Sequence, residues 1–340
     1  MSAFDASSSA AFALDVKSRS DVVGALPESD EPAAPESAFS RKLLAAQPFS
    51  GYELLECLEA EERSAVFKAR DVSMDRTAVV KALRPSPERT GAVEEFFSEA
   101  GAVARIRVSG VARGLDAGRG GGAFFMVHEL VRGDSLEERF SRRQTGKFTE
   151  RETLDLVRRL GEALDELFTA GQRHGDVRPK RIMLLPGGGV SLAGIGFAWQ
   201  TAFAGDGDAY LAKPEYLSPE RIRGEKNYDI RADLYALGCV WFSALLGETP
   251  FHGAVPGETL RLHLEAEPAS PRERDPRLSA ATSRLLLSLL AKDRDARPRT
   301  PREFLKRLAD HPFFSGGEGK GVAGEPGEEN NEENDPKRLA

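Results

Sequence analysis

Apolar and polar positions alternate in short runs over residues 52–83, and this period of two predicts β-strands. The strands that we expect are Tyr52–Leu58, Ala65–Asp71 and Thr77–Leu83. The apolar period changes to that of a helix over Ala92–Ile106, and two further strands are expected on either side of the glycine turn Gly118–Gly122. This part of the chain is therefore predicted to be a small sheet with one helix.

Beyond Ser135 the apolar positions recur every three to four residues, as they do in amphipathic helices. The predicted helices are Glu150–Ala170, Asp229–Gly247, Pro256–Ala266, Ser279–Leu290 and Pro301–Asp310. Ser135 and Thr149 are predicted N-caps, and Gly171 and Gly247 are predicted helix ends. Strands that are followed by helices predict an α+β fold in two lobes.

We expect a small β-rich N-lobe over residues 49–131 and a larger, mainly helical C-lobe over residues 132–314. Residues 1–48 are rich in Ala, Ser, Pro and acidic side chains, and they are predicted to be a disordered N-terminal segment because they hold few large apolar residues. Residues 315–340 are rich in Gly and Glu and are predicted to be a disordered acidic tail.

The net charge and the short apolar runs exclude two classes of partner. The 340 residues carry a formal net charge of −7, so a general basic field for nucleic acid is absent. No apolar run reaches the length of about 20 residues that a membrane helix needs. The two cysteines, Cys57 and Cys239, lie far apart and are expected to be buried thiols in a reducing compartment. We therefore expect a cytoplasmic protein with neither a nucleic-acid nor a membrane partner.

Several motifs follow one another in a fixed order. The strand TAVVK is followed by HGDVRPKRIML, VSLAGIGFA, PEYLSPERI, DIRADLYALGCV and DRDARP. This ordered set resembles the protein-kinase family, especially the bacterial Ser/Thr kinases, over about Gly51–Phe314. The resemblance implies a two-lobed protein-kinase-like fold with a nucleotide cleft between the lobes.

The resemblance assigns roles to a few charged residues. Lys81 matches the lysine that grips the phosphates, and Glu99 on the first helix matches its partner, with Glu94 and Glu95 as alternatives. Asp176 matches the catalytic base, and Arg178 matches the cation that contacts the transferred phosphate.

Other matches concern the frame and the hinge. Glu129 and Val131 match the hinge backbone that would receive adenine in a vestigial pocket. His128, at the gatekeeper position, and His174 are expected to be packed framework residues. Gly175 replaces the arginine that pairs with a phosphorylated activation loop in the family.

The glycine-rich loop is altered. Its three glycine positions fall on Glu59, Glu61 and Ser64. Glycine serves there because backbone amides must approach phosphate oxygens closely. The two carboxylates either repel a triphosphate or point outward, and in both cases the loop is no phosphate cradle.

The metal positions are altered as well. Arg181 replaces the metal-binding asparagine, and Gly194 replaces the metal-binding aspartate, so Mg²⁺ is not expected. A shifted alignment would place Asp206 or Asp208 there instead, but both lie in a Gly-rich loop beyond the strand. As a hypothesis, the Arg181 guanidinium occupies the metal position and pairs with Asp176; the alternative is that it extends into solvent.

The residues that the family uses as scaffold are intact. Glu220 and Arg297 are expected to form an ion pair in the large lobe. Asp233 is expected to hold the catalytic loop through backbone amides.

The sequence thus predicts a catalytically inactive pseudokinase that binds a protein partner or a partner kinase, with weak ATP binding at most. One alternative is an active Ser/Thr kinase with non-standard metal binding, which the matches at Lys81, Glu99 and Asp176 favour. Another is a scaffold that acts through its two ends.

Overall fold

The structure, a computed structural model, describes residues 37–84, 92–143, 147–195, 214–225 and 227–315, without the side chains of residues 92–95 and 99. Most of the segment predicted as disordered at the N-terminus and nearly all of the predicted acidic tail lie outside these ranges. Among the described residues, no helix combines the length and the apolar character needed to cross a membrane.

The N-lobe is built on a five-stranded antiparallel sheet in the order β1-β2-β3-β5-β4. Its strands are β1 Tyr52–Ala60, β2 Ser64–Asp71, β3 Arg76–Leu83, β4 Gly114–Gly120 and β5 Ala123–Glu129. Its helices are α1 Ala38–Ala46 and α2 Ala92–Ala104. The predicted strands and the helix from Ala92 are confirmed.

The two faces of this sheet bury different apolar groups. The outer face packs Cys57, Phe67 and Val80 together with Phe39 and Leu43 of α1. The inner face packs a smaller cluster that lies under α2: Leu83, Phe96, Ala100, Phe124 and Met126. Since side chains alternate along a strand, Lys81 points to the inner side of β3, which faces the cleft.

Helix α1 corrects the prediction that residues 1–48 lack order. Its first turn is closed by a capping box, in which the Ser40 amide donates to Ser37 Oγ over 3.1 Å and the Ser37 amide donates to Ser40 Oγ over 2.8 Å. Phe39 and Leu43 are 3% and 1% exposed. The helix is ordered because it covers the outer face of the sheet, a tertiary contact that local composition does not reveal.

The C-lobe is mainly helical. Its strands are β6 Asp134–Ser135, β7 Ile182–Leu184 and β8 Val190–Leu192. Its helices are α3 Leu136–Arg142, α4 Glu150–Thr169, α5 Pro219–Ile222, α6 Arg231–Leu246, α7 Pro256–Glu265, α8 Pro271–Arg274, α9 Ala280–Leu289, α10 Pro301–Ala309 and α11 Pro312–Ser315. The capping roles predicted for Ser135 and Thr149 are confirmed, and α6 ends at Gly247 in the left-handed conformation. Helix α6 is buried on every side beyond its first residue and forms the centre of the lobe.

Helix α1 gives a test of the N-lobe. Leu43→Ala removes a fully buried side chain between α1 and the sheet, so we expect a loss of about 2–5 kcal/mol in the free energy of unfolding. Lys42→Ala on the exposed side of the same helix is the control, with a change within about 0.5 kcal/mol. Chemical denaturation measures both, and equal effects of the two substitutions would contradict the packing of α1.

Candidate functional site

The loop that carries Asp176 is held from below by α6. Both oxygens of the Asp233 carboxylate accept backbone amides, from His174 over 2.7 Å and from Gly175 over 2.8 Å. Gly175 has a φ of +77°, a conformation that side chains disfavour, and its carbonyl accepts Arg221 Nη1 over 2.6 Å. The role predicted for Asp233 is confirmed.

His174 is a framework residue of the same loop. Its Nδ1 accepts the Asp176 amide over 3.2 Å, which leaves Nε2 as the donor to the Ala193 carbonyl over 3.2 Å. Burial lowers the pKa of His174 below its ordinary value, although the carboxylate of Asp233 opposes that change. The neutral imidazole therefore ties the loop to the end of β8.

The predicted ion pair of the large lobe is present. Arg297 Nη1 and Nη2 donate to the two oxygens of Glu220 over 2.8 and 2.9 Å, and both side chains are almost fully buried. Arg297 also donates to the Arg231 carbonyl over 3.0 Å, next to Asp233. This contact links the ion pair to the helix that supports the catalytic loop.

Two arginines surround Asp176. Arg178 Nε donates to Oδ1 over 2.8 Å, and Arg181 Nε donates to Oδ2 over 3.1 Å. Burial alone would raise the pKa of Asp176, but the charges of Arg178 and Arg181 outweigh it and hold the pKa well below its usual range. The hypothesis that Arg181 pairs with Asp176 is confirmed, and Arg181 does not extend into solvent: its side chain is 7% exposed.

Arg181 also reaches across the cleft to the N-lobe. Its Nη1 and Nη2 donate to the two oxygens of Glu59 over 2.9 and 3.1 Å, a bidentate pair between β1 and the catalytic loop. Lys180 Nζ lies 3.4 Å from Glu59 Oε1. The guanidinium thus joins the carboxylates of Glu59 and Asp176. We call this chain of contacts the Glu59–Arg181–Asp176 bridge.

The inward position of Glu59 depends on an irregularity of β1. The register with β2 shifts between Cys57 and Glu59. Cys57 packs in the outer apolar cluster, so strict alternation would place Glu59 on that outer face as well. The bulge turns Glu59 to the cleft instead. Of the two alternatives for the loop carboxylates, the outward one is therefore wrong for Glu59, and repulsion of a phosphate by this carboxylate remains a prediction.

The other two altered loop positions contact each other. Ser64 Oγ donates to Glu61 Oε2 over 2.6 Å, and the Glu61 amide donates to the Ser64 carbonyl over 2.8 Å. Glu61 is exposed, as the outward alternative requires. One side-chain and one backbone hydrogen bond thus close the turn between β1 and β2.

Lys81 lies in the cleft near the bridge and is 1% exposed. Burial and the positive charge of Arg181 lower its pKa well below the ordinary value, against the carboxylates of Asp176, Glu59 and Glu61. The side chain of its predicted partner Glu99 lies outside the described residues, as do those of Glu94 and Glu95, so that pairing remains a prediction.

The hinge lies at the end of β5. The Glu129 side chain is engaged by Arg113, whose backbone amide and Nε donate to its two oxygens over 2.9 and 3.0 Å. Val131 is half-buried beyond it. His128 is 2% exposed, and burial lowers its pKa to about 3, so it is a neutral packed residue as expected. Nucleotide contacts of Glu129 and Val131 remain a prediction.

Two positions of the cleft bear on whether it can hold Mg²⁺. Gly194, with a φ of +80°, brings no side-chain oxygen to the end of β8, and Arg181 brings a positive charge to the other metal position. Mg²⁺ requires oxygen ligands in octahedral geometry. In the described part of the chain, no group of three His, Cys, Asp or Glu side chains could hold a metal ion. Asp206 and Asp208 lie outside that part.

The fold and the intact loop frame define a protein-kinase domain, and the chain belongs to the protein kinase family: the family model described as protein kinase domain matches residues 53–314. Among curated relatives, the serine/threonine-protein kinase pkn3 of Myxococcus xanthus is 34% identical over 259 residues, which are 72% of this chain and 46% of that protein. The serine/threonine-protein kinase PknB of Mycobacterium tuberculosis is 31% identical over 261 residues, which are 74% of this chain and 41% of that protein.

The chain thus spans less than half the length of these relatives. Among solved structures, the crystal structure of the Mycobacterium tuberculosis PknI kinase domain matches with a TM-score of 0.61 and 23% identity, covering 76% of this chain and 96% of that chain. This likeness shows the two-lobed α+β kinase fold that the sequence predicts.

A double-mutant cycle tests the bridge. Glu59→Gln and Arg181→Gln are each expected to destabilise the domain by about 3–5 kcal/mol. Each substitution removes one partner of a buried ion pair and leaves the charge of the other partner less compensated. The coupling energy between them should be about 1–3 kcal/mol. The control is the cycle of Arg261 and Glu265, whose side chains are 57% and 61% exposed and should couple by only about 0.3–0.5 kcal/mol. Equal coupling in the two cycles would contradict a buried bridge.

The pH dependence follows from the depressed pKa of Glu59. Burial opposes its ionisation, but Arg181 and Lys180 keep its pKa below the ordinary value. Its contribution to stability is complete above the unfolded pKa of about 4.3 and is lost as the pH falls through the folded pKa. The difference in unfolding free energy between wild type and Glu59→Gln should be present at pH 6 and shrink below about pH 4. Urea denaturation over a pH series measures it, and a difference that stays the same from pH 6 down to pH 3 would contradict this account.

Proposed function

We propose that this kinase domain is a pseudokinase, a module that binds a protein partner and does not transfer phosphate. The Glu59–Arg181–Asp176 bridge carries the proposal. It places a guanidinium and a carboxylate between the altered glycine loop and the catalytic aspartate. Those charges lie where a kinase of this family holds the phosphates and the metal ions.

The state of Asp176 supports the same conclusion. Each of its carboxylate oxygens accepts a guanidinium N–H, and its pKa is depressed by both arginines. A general base works best when its pKa lies near the operating pH. A carboxylate that two arginines stabilise in its charged form has little tendency to take a proton from a hydroxyl group.

The intact frame supports a binding role. Asp233 binds the backbone of the catalytic loop, and the buried ion pair of Glu220 with Arg297 supports the helix that carries Asp233. Both hold the loop in place from outside the cleft. A domain that keeps this frame presents a defined surface without phosphoryl transfer. We propose a protein partner, either a kinase or another protein, and weak ATP binding at most.

An active Ser/Thr kinase with non-standard metal binding is the second candidate. It is favoured by Lys81, which lies in the cleft close enough to Asp176 for their charges to interact. The names of the curated relatives, which are Ser/Thr kinases, point the same way.

Thermal denaturation with ATP, with and without Mg²⁺ or Mn²⁺, separates the two candidates. A ligand at a hundred times its Kd adds about 2.7 kcal/mol of stability. For the pseudokinase we expect no upward shift that depends on the metal, because neither metal position offers an oxygen side chain.

Transfer of labelled phosphate from ATP to the chain itself and to a general protein substrate is measured in parallel. We expect none above the level of Asp176→Asn. A metal-dependent Tm shift, together with a transfer that Asp176→Asn abolishes, would establish the active kinase instead.

A further inference from the structure

Glu59 sits among cations as an anionic ligand would. Its two oxygens accept both terminal nitrogens of Arg181, and Lys180 lies 3.4 Å away. The carboxylate is 18% exposed and Arg181 is 7% exposed, so the pair is largely shielded from water. An oxyanion such as a phosphate group has the geometry that this planar guanidinium binds best.

The same contact joins the lobes. Glu59 belongs to β1 of the N-lobe, whereas Arg181 ends the short turn Pro179–Arg181, whose backbone is tied to Arg178 and to Ala193 by bonds of 2.8 Å. The contact therefore holds the glycine-loop strand directly against the catalytic loop.

We propose that the Glu59 side chain competes with external anions for an oxyanion site. A phosphate-type anion free of metal binds Arg181 and Lys180 and displaces Glu59 from them. This displacement releases β1 from the catalytic loop. The proposal rests on the proposed function, since it takes the cleft as one without bound Mg²⁺. It adds to that function a phosphate-type ligand, the requirement that this ligand be free of metal, and the release of β1.

The effect of metal has a defined sign. The two groups that would bind the anion, Arg181 and Lys180, are cations, so they offer Mg²⁺ no ligand and repel its charge. Mg²⁺ bound to a phosphate also neutralises the charge that the guanidinium would recognise. Excess Mg²⁺ should therefore weaken binding, the opposite of its effect in an active kinase.

The affinity is set by competition. When the binding-competent state is a small fraction of the population, the apparent Kd rises by the inverse of that fraction. Glu59→Gln removes the competing charge, and Asp176 then compensates Arg181 only in part, since Asp176 also pairs with Arg178. We expect this variant to bind ADP at least tenfold more tightly than wild type.

The binding experiment uses the full chain in EDTA, with ADP and inorganic pyrophosphate as separate probes and titration calorimetry as the readout. The matched control is Glu62→Gln, which removes the same charge from an exposed residue of the same turn and should bind as wild type does. Arg181→Gln should lose binding, and Glu59→Asp, which shortens the side chain but keeps its charge, should fall between wild type and Glu59→Gln. Binding of both probes would indicate a general oxyanion site, and binding of ADP alone would indicate that the nucleoside contributes.

Hydrogen exchange measures the motion. In the absence of ligand, amides of Tyr52–Ala60 should exchange faster in Glu59→Gln than in wild type or Glu62→Gln, by a larger factor than the amides of β2 and β3, and ADP should have the same local effect on wild type. The proposal is overturned if Glu59→Gln and Glu62→Gln bind both probes equally, if no variant binds either probe, or if Mg²⁺ strengthens binding.

Hydrogen exchange measured without ligand distinguishes a failure of the pseudokinase function from a failure of the proposed release of β1. Phosphate transfer by the wild-type chain would overturn the pseudokinase function, while faster exchange in Glu59→Gln would still support release of β1. Unchanged hydrogen exchange of β1, in a chain that transfers no phosphate, would contradict only the proposed release of β1.

Discussion

The cleft is arranged around the need to compensate the buried charge of Arg181. An uncompensated ion of this kind costs several kcal/mol in a protein interior. Asp176 supplies one carboxylate from the same loop, and Glu59 supplies the other from β1 in the opposite lobe. The spacing between β1 and the catalytic loop is thus set by an ion pair, where a kinase of this family uses phosphates and Mg²⁺. The guanidinium lies between these two carboxylates and compensates both.

The bridge depends on a rigid support beneath it. Asp233 fixes His174 and Gly175, and the neutral His174 binds the end of β8, so the backbone around Asp176 is held on two sides. Arg181 is the last residue of a short turn that begins with Pro179, and its backbone amide donates to the Arg178 carbonyl. Because the loop backbone is fixed in this way, the direction of the guanidinium is fixed as well, and the contact depends on β1 for the position of Glu59.

The parts of the site that could be predicted are those in which residue type and motif order are sufficient. Asp233, Glu220 and Arg297 lie where the motifs place them, and the pairing of Arg181 with Asp176 is one of the two alternatives that the sequence leaves open. The direction of Glu59 could not be predicted, because a bulge after Cys57 reverses the side-chain alternation of β1. Helix α1 could not be predicted either, because its order comes from burial of Phe39 and Leu43 against a distant sheet.

The changes at Glu59 and Arg181 are two halves of one structural unit. Arg181 without Glu59 would leave a buried cation beside Lys81, whose pKa its charge already lowers. Glu59 without Arg181 would place a carboxylate near Asp176 with only Lys180 and the more distant Arg178 and Lys81 to offset it. Since breaking a buried pair costs about 3–5 kcal/mol, either change alone is unfavourable and the two together are stable. The residues at the altered loop position Glu59 and at Arg181, which look like separate changes in the sequence, therefore form one compensated contact within the chain.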